Sequence, residues 1–188
     1  MSSYLDENIN EMKSYSNYVK ELAARNSEAI FDNSSIEHYF IVMCELLKSA
    51  KHKIQIFAGS MKDPLKEKIS SYLTEAAFRL NNENAIQIIT TDLSAVEEFS
   101  ELKDSFDNIN DLIGKKVISY LPLIAEKEVQ HFCVVDGKAW RFEEIHTPEQ
   151  MDAGVIKAKV CFNNKNIGQN LQKTFRNIWG EHQIGISH

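Results

Sequence analysis

Four side chains that could do chemistry lie in one short segment in the second half of the chain: His131, Asp136, Arg141 and Glu143. A neutral imidazole has a pKa of about 6.5, so His131 could attack a substrate or move a proton. Because side chains alternate along a strand, His131 shares a face with positions 129 and 133, and Arg141 shares a face with Glu143. The alternative is that hydrogen bonds satisfy His131 in a half-buried interface, beside an Arg141–Glu143 pair that is structural or serves recognition.

Two lysines form a second candidate group. Lys157 and Lys159 alternate with apolar residues and therefore point to one face of a strand. They form a small cationic patch for phosphate or an acidic partner, or they lie on an exposed face or edge, where lysines discourage pairing with another strand. Trp140 and Phe142 lie on the face opposite Arg141. We expect both in the core, because large aromatic side chains bury the most area.

The chain lacks the common motifs of nucleotide-binding and hydrolytic sites. It contains no GxGxxG, no Walker loop, no HExxH and no GxSxG. None of its six histidines has another His or Cys at a spacing that would place two ligands on one helix face. We therefore expect no metal and no cofactor. Cys44, Cys133 and Cys161 are far apart within apolar runs, which is typical of buried free thiols in a reducing compartment.

The composition predicts a cytoplasmic globular protein. With 188 residues, 43% of them hydrophobic, the chain can bury the core of one domain. The first residues lack the pattern of a signal peptide, and the longest apolar run is too short to span a membrane. Lys and Arg number 21 against 27 Asp and Glu, a net charge of −6. We therefore expect no extended nucleic-acid surface, although a local basic pocket is compatible with this balance.

An amphipathic helix is predicted over residues 3–25, because apolar residues recur at three- and four-residue steps. With the connection that follows, it forms an N-terminal segment over residues 1–30. This helix either packs on its own domain or serves as an arm for dimerisation or partner binding. After a polar connection up to Ser34, a capping box from Ser34 to Glu37 predicts a second, strongly apolar helix that runs to about residue 50.

The rest of the chain alternates strands with helices. Strands at 54–58 and 85–90, with a helix from residue 65 between them, predict a βαβ unit and parallel strands. The polar, acidic residues 93–115 are predicted to form two short helical pieces. Further elements are strands at 117–121, 129–135, 139–142 and 155–162 and a helix at 166–179 that ends at Gly180. The expected fold is α/β, a mixed sheet flanked by helices, in a domain over residues 31–180 followed by a tail over 181–188.

The segment from Val129 to Glu143, with Asp136-Gly137 as a tight turn between two strands, resembles the motif region of the phospholipase D superfamily in a divergent, single-repeat form. An apolar strand and a helix that ends near Trp179 follow it, and a buried helix and a βαβ unit precede it, in a similar arrangement. The resemblance covers roughly residues 36–180. It implies a phospholipase D-like fold with an added N-terminal amphipathic helix.

The family's HKD motif, His-x-Lys-x-x-x-x-Asp, is degenerate in this chain. Alignment on Asp136 places the family's His at Val129 and its Lys at His131. In the family the His attacks phosphorus and the Lys helps to hold phosphate oxygens. Val129 has no lone pair and cannot attack. The family's Gly-Ser falls near Phe142-Glu143, which puts an acidic group where the phosphate would sit.

The resemblance therefore implies a catalytically silent module that works as a scaffold, a sensor or a regulatory partner of another protein. Single-repeat members pair so that two motifs meet across a two-fold axis, so we expect a homodimer through the sheet edge that carries His131. An alternative is a divergent phosphodiesterase or nuclease that uses His131 from two protomers, and another is an unrelated α/β binding protein. The candidate binding residues are His131, Asp136, Arg141, Glu143, Lys157 and Lys159.

Overall fold

The computed structural model describes residues 2–58, 65–91, 96–123, 130–145, 150 and 155–185. Its helices within these ranges are α1 (Ser2–Ala24), α2 (Ile36–Ser49), α3 (Leu65–Leu80), α4 (Val96–Ile113) and α5 (Lys165–Gly185). Its strands are β1 (Phe31–Ser35), β2 (Ile54–Ala58), β3 (Ile86–Thr90), β4 (Ile118–Pro122), β5 (Phe132–Val135), β6 (Ala139–Glu143) and β7 (Val155–Cys161). No helix in the described ranges is long and apolar enough to cross a membrane.

The strands form one mixed sheet in the order β1-β7-β6-β5-β2-β3-β4. Strands β2, β3 and β4 are parallel, which confirms the predicted βαβ unit. The remaining neighbours pair antiparallel. The predicted α/β fold with a mixed sheet between helices is confirmed. Strand β5 is the middle strand of the seven, so the prediction that His131 lies at a sheet edge is wrong.

Two apolar clusters cover the two faces of the sheet. One combines Cys133 and Val135 of β5 with buried residues of α1 to α4. The other combines Phe132 and Val134 of the same strand with Phe175 of α5. Alternate residues of β5 thus enter opposite layers, as the period of a strand requires. The predicted core positions Trp140 and Phe142 lie in the α5 layer.

Helix α1 packs on the sheet domain through its C-terminal half. Val19 is fully buried in the same cluster as α2 and α3, and Tyr15 and Leu22 pack against that cluster. This half of the helix follows the first of the two predicted arrangements. Towards the N-terminus Ile9 is 50% exposed, so the apolar stripe continues beyond the part that the domain covers.

Several element boundaries differ from the predictions. Strand β5 begins at Phe132, so His131 precedes the strand that was predicted to start at residue 129. The segment predicted as a polar connection contains β1, and α2 begins after Ser35, whose side chain accepts a hydrogen bond from the His38 amide, rather than after Ser34. The acidic segment forms one helix, α4, in place of two short pieces. Helix α5 continues past Gly180 to Gly185.

Candidate functional site

The candidate residues that share a face meet at one end of the sheet. The backbone amide of Glu143 donates to the carbonyl of His131, which places these residues side by side. Glu143 is opposite Ala158 of β7, and Ala158 is opposite Asn33 of β1. A row of residues therefore runs across four neighbouring segments. Because Ala158 contributes only a methyl group, the side chains of this row and of Arg141 can meet above it.

Arg141 is the buried centre of this group and is only 3% exposed. Its Nε donates to Oδ1 of Asn33 at 2.7 Å, and its Nη1 donates to Oε2 of Glu143 at 2.6 Å. The guanidinium carbon lies 4.5 Å from the centre of the Tyr39 ring, close enough for a cation–π interaction. The remaining nitrogen, Nη2, is buried and has no hydrogen-bond partner among the described residues.

Glu143 and His131 complete the group. Burial alone would raise the pKa of Glu143, but His131 and Arg141 outweigh it and lower the pKa from 4.5 to about 2. The Glu143 carboxylate is therefore ionised at neutral pH. His131 Nδ1 lies 3.7 Å from Oε1 of Glu143, and its side chain is one-third exposed. The imidazole thus stands between the buried ion pair and the surface.

Sequence reasoning missed two members of this group, Asn33 and Tyr39. Asn33 is fully buried, and its amide nitrogen donates to the carbonyl of Ser35 while its oxygen accepts from Arg141. Asn33 lies on β1, and the polar residues of that segment did not indicate a strand. Tyr39 belongs to the predicted apolar helix α2, where nothing in the sequence distinguishes it from a core residue. We call Asn33, Tyr39, His131, Arg141 and Glu143 the Arg141 cluster.

Asp136 lies at the opposite end of β5, in the turn that leads to β6. Its two carboxylate oxygens accept three backbone amides, from Lys51 at 2.8 Å, His52 at 2.9 Å and Lys53 at 2.8 Å. Asp136 has a φ of 52°, a left-handed conformation that Asp tolerates better than most residues. Asp136 therefore ties the β5–β6 turn to the start of β2, away from the Arg141 cluster.

Lys157 and Lys159 lie on the other face of the sheet. The register places Lys159 opposite Phe142, whereas Ala158 is opposite Glu143. Lys159 Nζ pairs with Oδ1 of Asp32 at 2.6 Å, and Lys157 is exposed. The six predicted binding residues thus occupy three places: the Arg141 cluster, the β5–β6 turn and the exposed face of β7.

The Arg141 cluster is better suited to holding elements together than to stabilising a phosphoryl transition state. Its guanidinium, which would be the natural partner of a phosphate, already binds Asn33 and Glu143 and stacks on Tyr39. Among the described residues no group of three or more His, Cys, Asp or Glu side chains could hold a metal ion.

Comparison with known proteins identifies solved structures with a similar fold. No family model matches the chain, and no curated protein matches its sequence. Among solved structures, Nuc from Salmonella typhimurium, a phospholipase D family member, is 15% identical with a TM-score of 0.60 over 81% of this chain and 94% of Nuc. TrmBL2, an archaeal chromatin protein that binds DNA, is 14% identical with a TM-score of 0.60 over 95% of this chain. This chain spans 64% of the length of TrmBL2. At these identities the similarity shows a phospholipase D-like fold and no more.

Proposed function

We propose that this chain is a catalytically silent phospholipase D-like module that acts by binding, as a homodimer. The observation that supports a lack of catalysis is the ionised Glu143 carboxylate beside His131. Arg141 is already ion-paired with this carboxylate. Phosphoryl-transfer sites gather cations and hydrogen-bond donors where negative charge develops. Here an approaching phosphodiester would meet a carboxylate.

The sequence supports the same proposal at the position of the nucleophile. In the alignment on Asp136 the family's His falls on Val129, which lies outside the described residues but has no nucleophilic atom in any conformation. His131 would have to take its place. His131 stands at the family's Lys position rather than at that of the nucleophile, and its Nδ1 faces the Glu143 carboxylate at 3.7 Å.

The homodimer is supported by the single-repeat resemblance and by the position of His131. Because β5 is the middle strand, a partner would meet the strand ends near His131, not a hydrogen-bonding edge. Ile145 follows β6 at this end and is 57% exposed. An exposed apolar side chain at the same end of the sheet as the one-third exposed His131 is compatible with an interface there. The binding partner would be another protein that the paired modules hold or regulate.

A phosphodiesterase assay tests the proposed silence. Wild-type protein, His131→Ala and the control His52→Ala are incubated with bis(p-nitrophenyl) phosphate and with single- and double-stranded DNA. His52 is exposed and takes part in the fold through its backbone amide, which the substitution keeps. We expect the same background turnover in all three. Turnover that His52→Ala retains and folded His131→Ala loses would establish the alternative, a divergent phosphodiesterase or nuclease.

Light scattering coupled to size-exclusion chromatography tests the dimer. We expect twice the mass of one chain. The mass of a single chain would contradict the homodimer and favour an α/β binding protein with no requirement for a partner copy.

A further inference from the structure

Six lysines lie along the end of the sheet that carries the β5–β6 turn, opposite the end at His131. We call Lys51, Lys53, Lys115, Lys116, Lys138 and Lys165 the basic rim. Backbone hydrogen bonds join the loops that carry them. The amide of Asp136 donates to the carbonyl of Lys53 at 2.9 Å, and the amide of Asn164 donates to the carbonyl of Lys138 at 2.8 Å. The amide of Asn84 donates to the carbonyl of Lys116, also at 2.8 Å.

No ammonium group of the rim forms an ion pair with a residue in the described part of the chain. Lys53 donates to the carbonyl of Asn84, Lys115 to the carbonyl of Asn81 and Lys138 to the side-chain oxygen of Asn26. These acceptors are neutral. Three lysines elsewhere in the fold pair with carboxylates: Lys48 with Glu45, Lys103 with Asp107 and Lys159 with Asp32.

Four described acidic residues, Glu28, Glu83, Asp111 and Asp136, lie at this end, fewer than the six lysines of the rim. Asp136 uses its carboxylate on three backbone amides. Glu83 is exposed in the loop before β3. Arg176 of α5 adds another cation. Burial first and this guanidinium second lower the pKa of Lys53. The rim therefore carries a local positive charge on a chain whose net charge is −6.

Stabilisation of helix C-termini explains the placement of only some of the rim lysines. Helices α2 and α4 end near Lys51 and Lys115, and cations favour the negative C-terminal end of a helix dipole. Lys165, however, is the first residue of α5, at the positive end of that dipole, where a cation is unfavourable. Lys138 lies in the β5–β6 turn and belongs to no helix. The helix dipole therefore does not account for Lys138 and Lys165.

The rim extends along the end of the sheet. It runs from the loop before β4 to the loop after β7, across five strand-to-strand spacings. At about 4.8 Å for each spacing it extends for about 24 Å. Lysine is depleted from the cores of protein–protein interfaces, which favour aromatic residues and arginine. A line of point charges of this length spans about seven base-pair steps of a duplex, at about 3.4 Å of axis for each step.

We propose that the basic rim binds the phosphate backbone of double-stranded DNA, without base readout. This surface is distinct from the Arg141 cluster and goes beyond the proposed function. The net charge predicted no extended nucleic-acid surface, but a net charge averages over the whole chain and does not describe one end of a sheet. Phosphate contacts by lysine position a protein on a duplex and carry no sequence information.

Fluorescence anisotropy with a labelled duplex of about 20 base pairs, in about 50 mM salt and then at increasing salt, tests this proposal. The rim variant carries Lys51→Gln, Lys116→Gln and Lys165→Gln, and the control carries Lys13→Gln, Lys20→Gln and Lys103→Gln. All six lysines are exposed, and both variants lose three positive charges. We expect the rim variant to bind at least about tenfold more weakly, with a salt slope reduced by about 2 to 3, and the control to bind within about twofold of wild type. Circular dichroism establishes that both variants are folded.

Three outcomes would overturn the proposal. Wild-type protein that does not bind the duplex in low salt excludes a DNA-binding rim. Equal losses in the rim and control variants assign binding to net charge. Binding of poly-glutamate at affinities where duplex DNA does not bind, lost in the rim variant, would reassign the rim to an acidic protein partner.

Discussion

Asp136 shows how one carboxylate can serve as the acceptor for a whole turn. Its oxygens take the amides of three consecutive residues that lead into β2. Asp136→Asn keeps the size and the tolerance for positive φ but replaces one acceptor oxygen by an amide group, which faces a backbone N–H that it cannot accept. We expect a loss of about 1 to 3 kcal/mol in the free energy of unfolding, measured in urea. Asp104→Asn, at an exposed position of α4, is the control and should change it by less than about 0.5 kcal/mol. Equal effects would show that the three amide bonds contribute nothing specific.

Glu143 lowers the free energy of unfolding as the pH falls, because its pKa is lower in the folded chain than in the unfolded chain. Its pKa is about 2 in the folded chain and 4.5 ordinarily, so the unfolded chain binds the proton first. The carboxylate therefore contributes stability that is complete above about pH 4.5 and is lost as the pH falls towards 2. Because the side chain is 15% exposed and its partner Arg141 is buried, this contribution is about 3 kcal/mol at neutral pH.

Comparison of wild type with Glu143→Gln isolates that contribution. We expect the variant to be less stable at pH 7 and the difference to shrink between pH 4.5 and pH 3 in urea unfolding. Glu144→Gln alters the neighbouring exposed carboxylate and should follow the wild-type pH profile. A difference between wild type and Glu143→Gln that is constant with pH would contradict an ionised, ion-paired Glu143.

At the scale of elements, two glycines of α5 have opposite roles. A Cβ on Gly168 would lie 2.5 Å from the carbonyl oxygen of Gly137, so the helix can approach the β5–β6 turn only because position 168 has no side chain. We expect Gly168→Ala to destabilise the protein by about 1 to 3 kcal/mol, because α5 must move outward. Gly180→Ala meets nothing within 4 Å and should stabilise the helix by about 0.5 to 1 kcal/mol. Thermal melts of both variants check the signs, and two changes in the same direction would contradict this account.

Elements with clear apolar periodicity were predictable, and elements fixed by distant partners were not. The βαβ unit from β2 to β3 followed from its pattern. Strand β1 did not, because Asp32 and Asn33 interrupt its apolar pattern and its pairing with β7 joins residues far apart in sequence. The polar pair Asp107-Asn108 predicts a break between two short helices, but Phe106 and Ile109 on either side are buried on one face of the continuous helix α4. Gly180 lacks the positive φ of a helix-ending glycine, and the helix continues.

Contacts between residues of one strand of the candidate site were predictable, and contacts between residues of different strands were not. Alternation along β6 placed Arg141 and Glu143 on one face, and their ion pair is present. The same rule could not show that Asn33 would bind Arg141, because that contact depends on the order of strands in the sheet. Nor could the sequence show that the Asp136 carboxylate would accept the amides of Lys51, His52 and Lys53. A motif fixes spacing along the chain, whereas the role of each residue depends on which segment lies beside it.

At the scale of the whole molecule, the two ends of the sheet differ in charge and in exposed apolar surface. One end carries the basic rim, and the other carries His131 with the exposed Ile145. If the homodimer forms at the second end, the two rims face away from each other and stay free for a duplex. The dimer and the DNA surface are then independent, and a variant at one end should leave the other unchanged.

Ile145→Glu tests this separation. Two copies of the substitution would place carboxylates against each other and against Glu143 at the proposed interface, where apolar contact is lost and like charges repel. We expect the mass measured by light scattering to fall from that of two chains to that of one, with unchanged circular dichroism. Phe78→Glu is the matched control, since Phe78 of α3 is 46% exposed and lies near the rim end of that helix. Dissociation by Phe78→Glu and not by Ile145→Glu would place the interface elsewhere, and a monomeric wild type would remove it altogether.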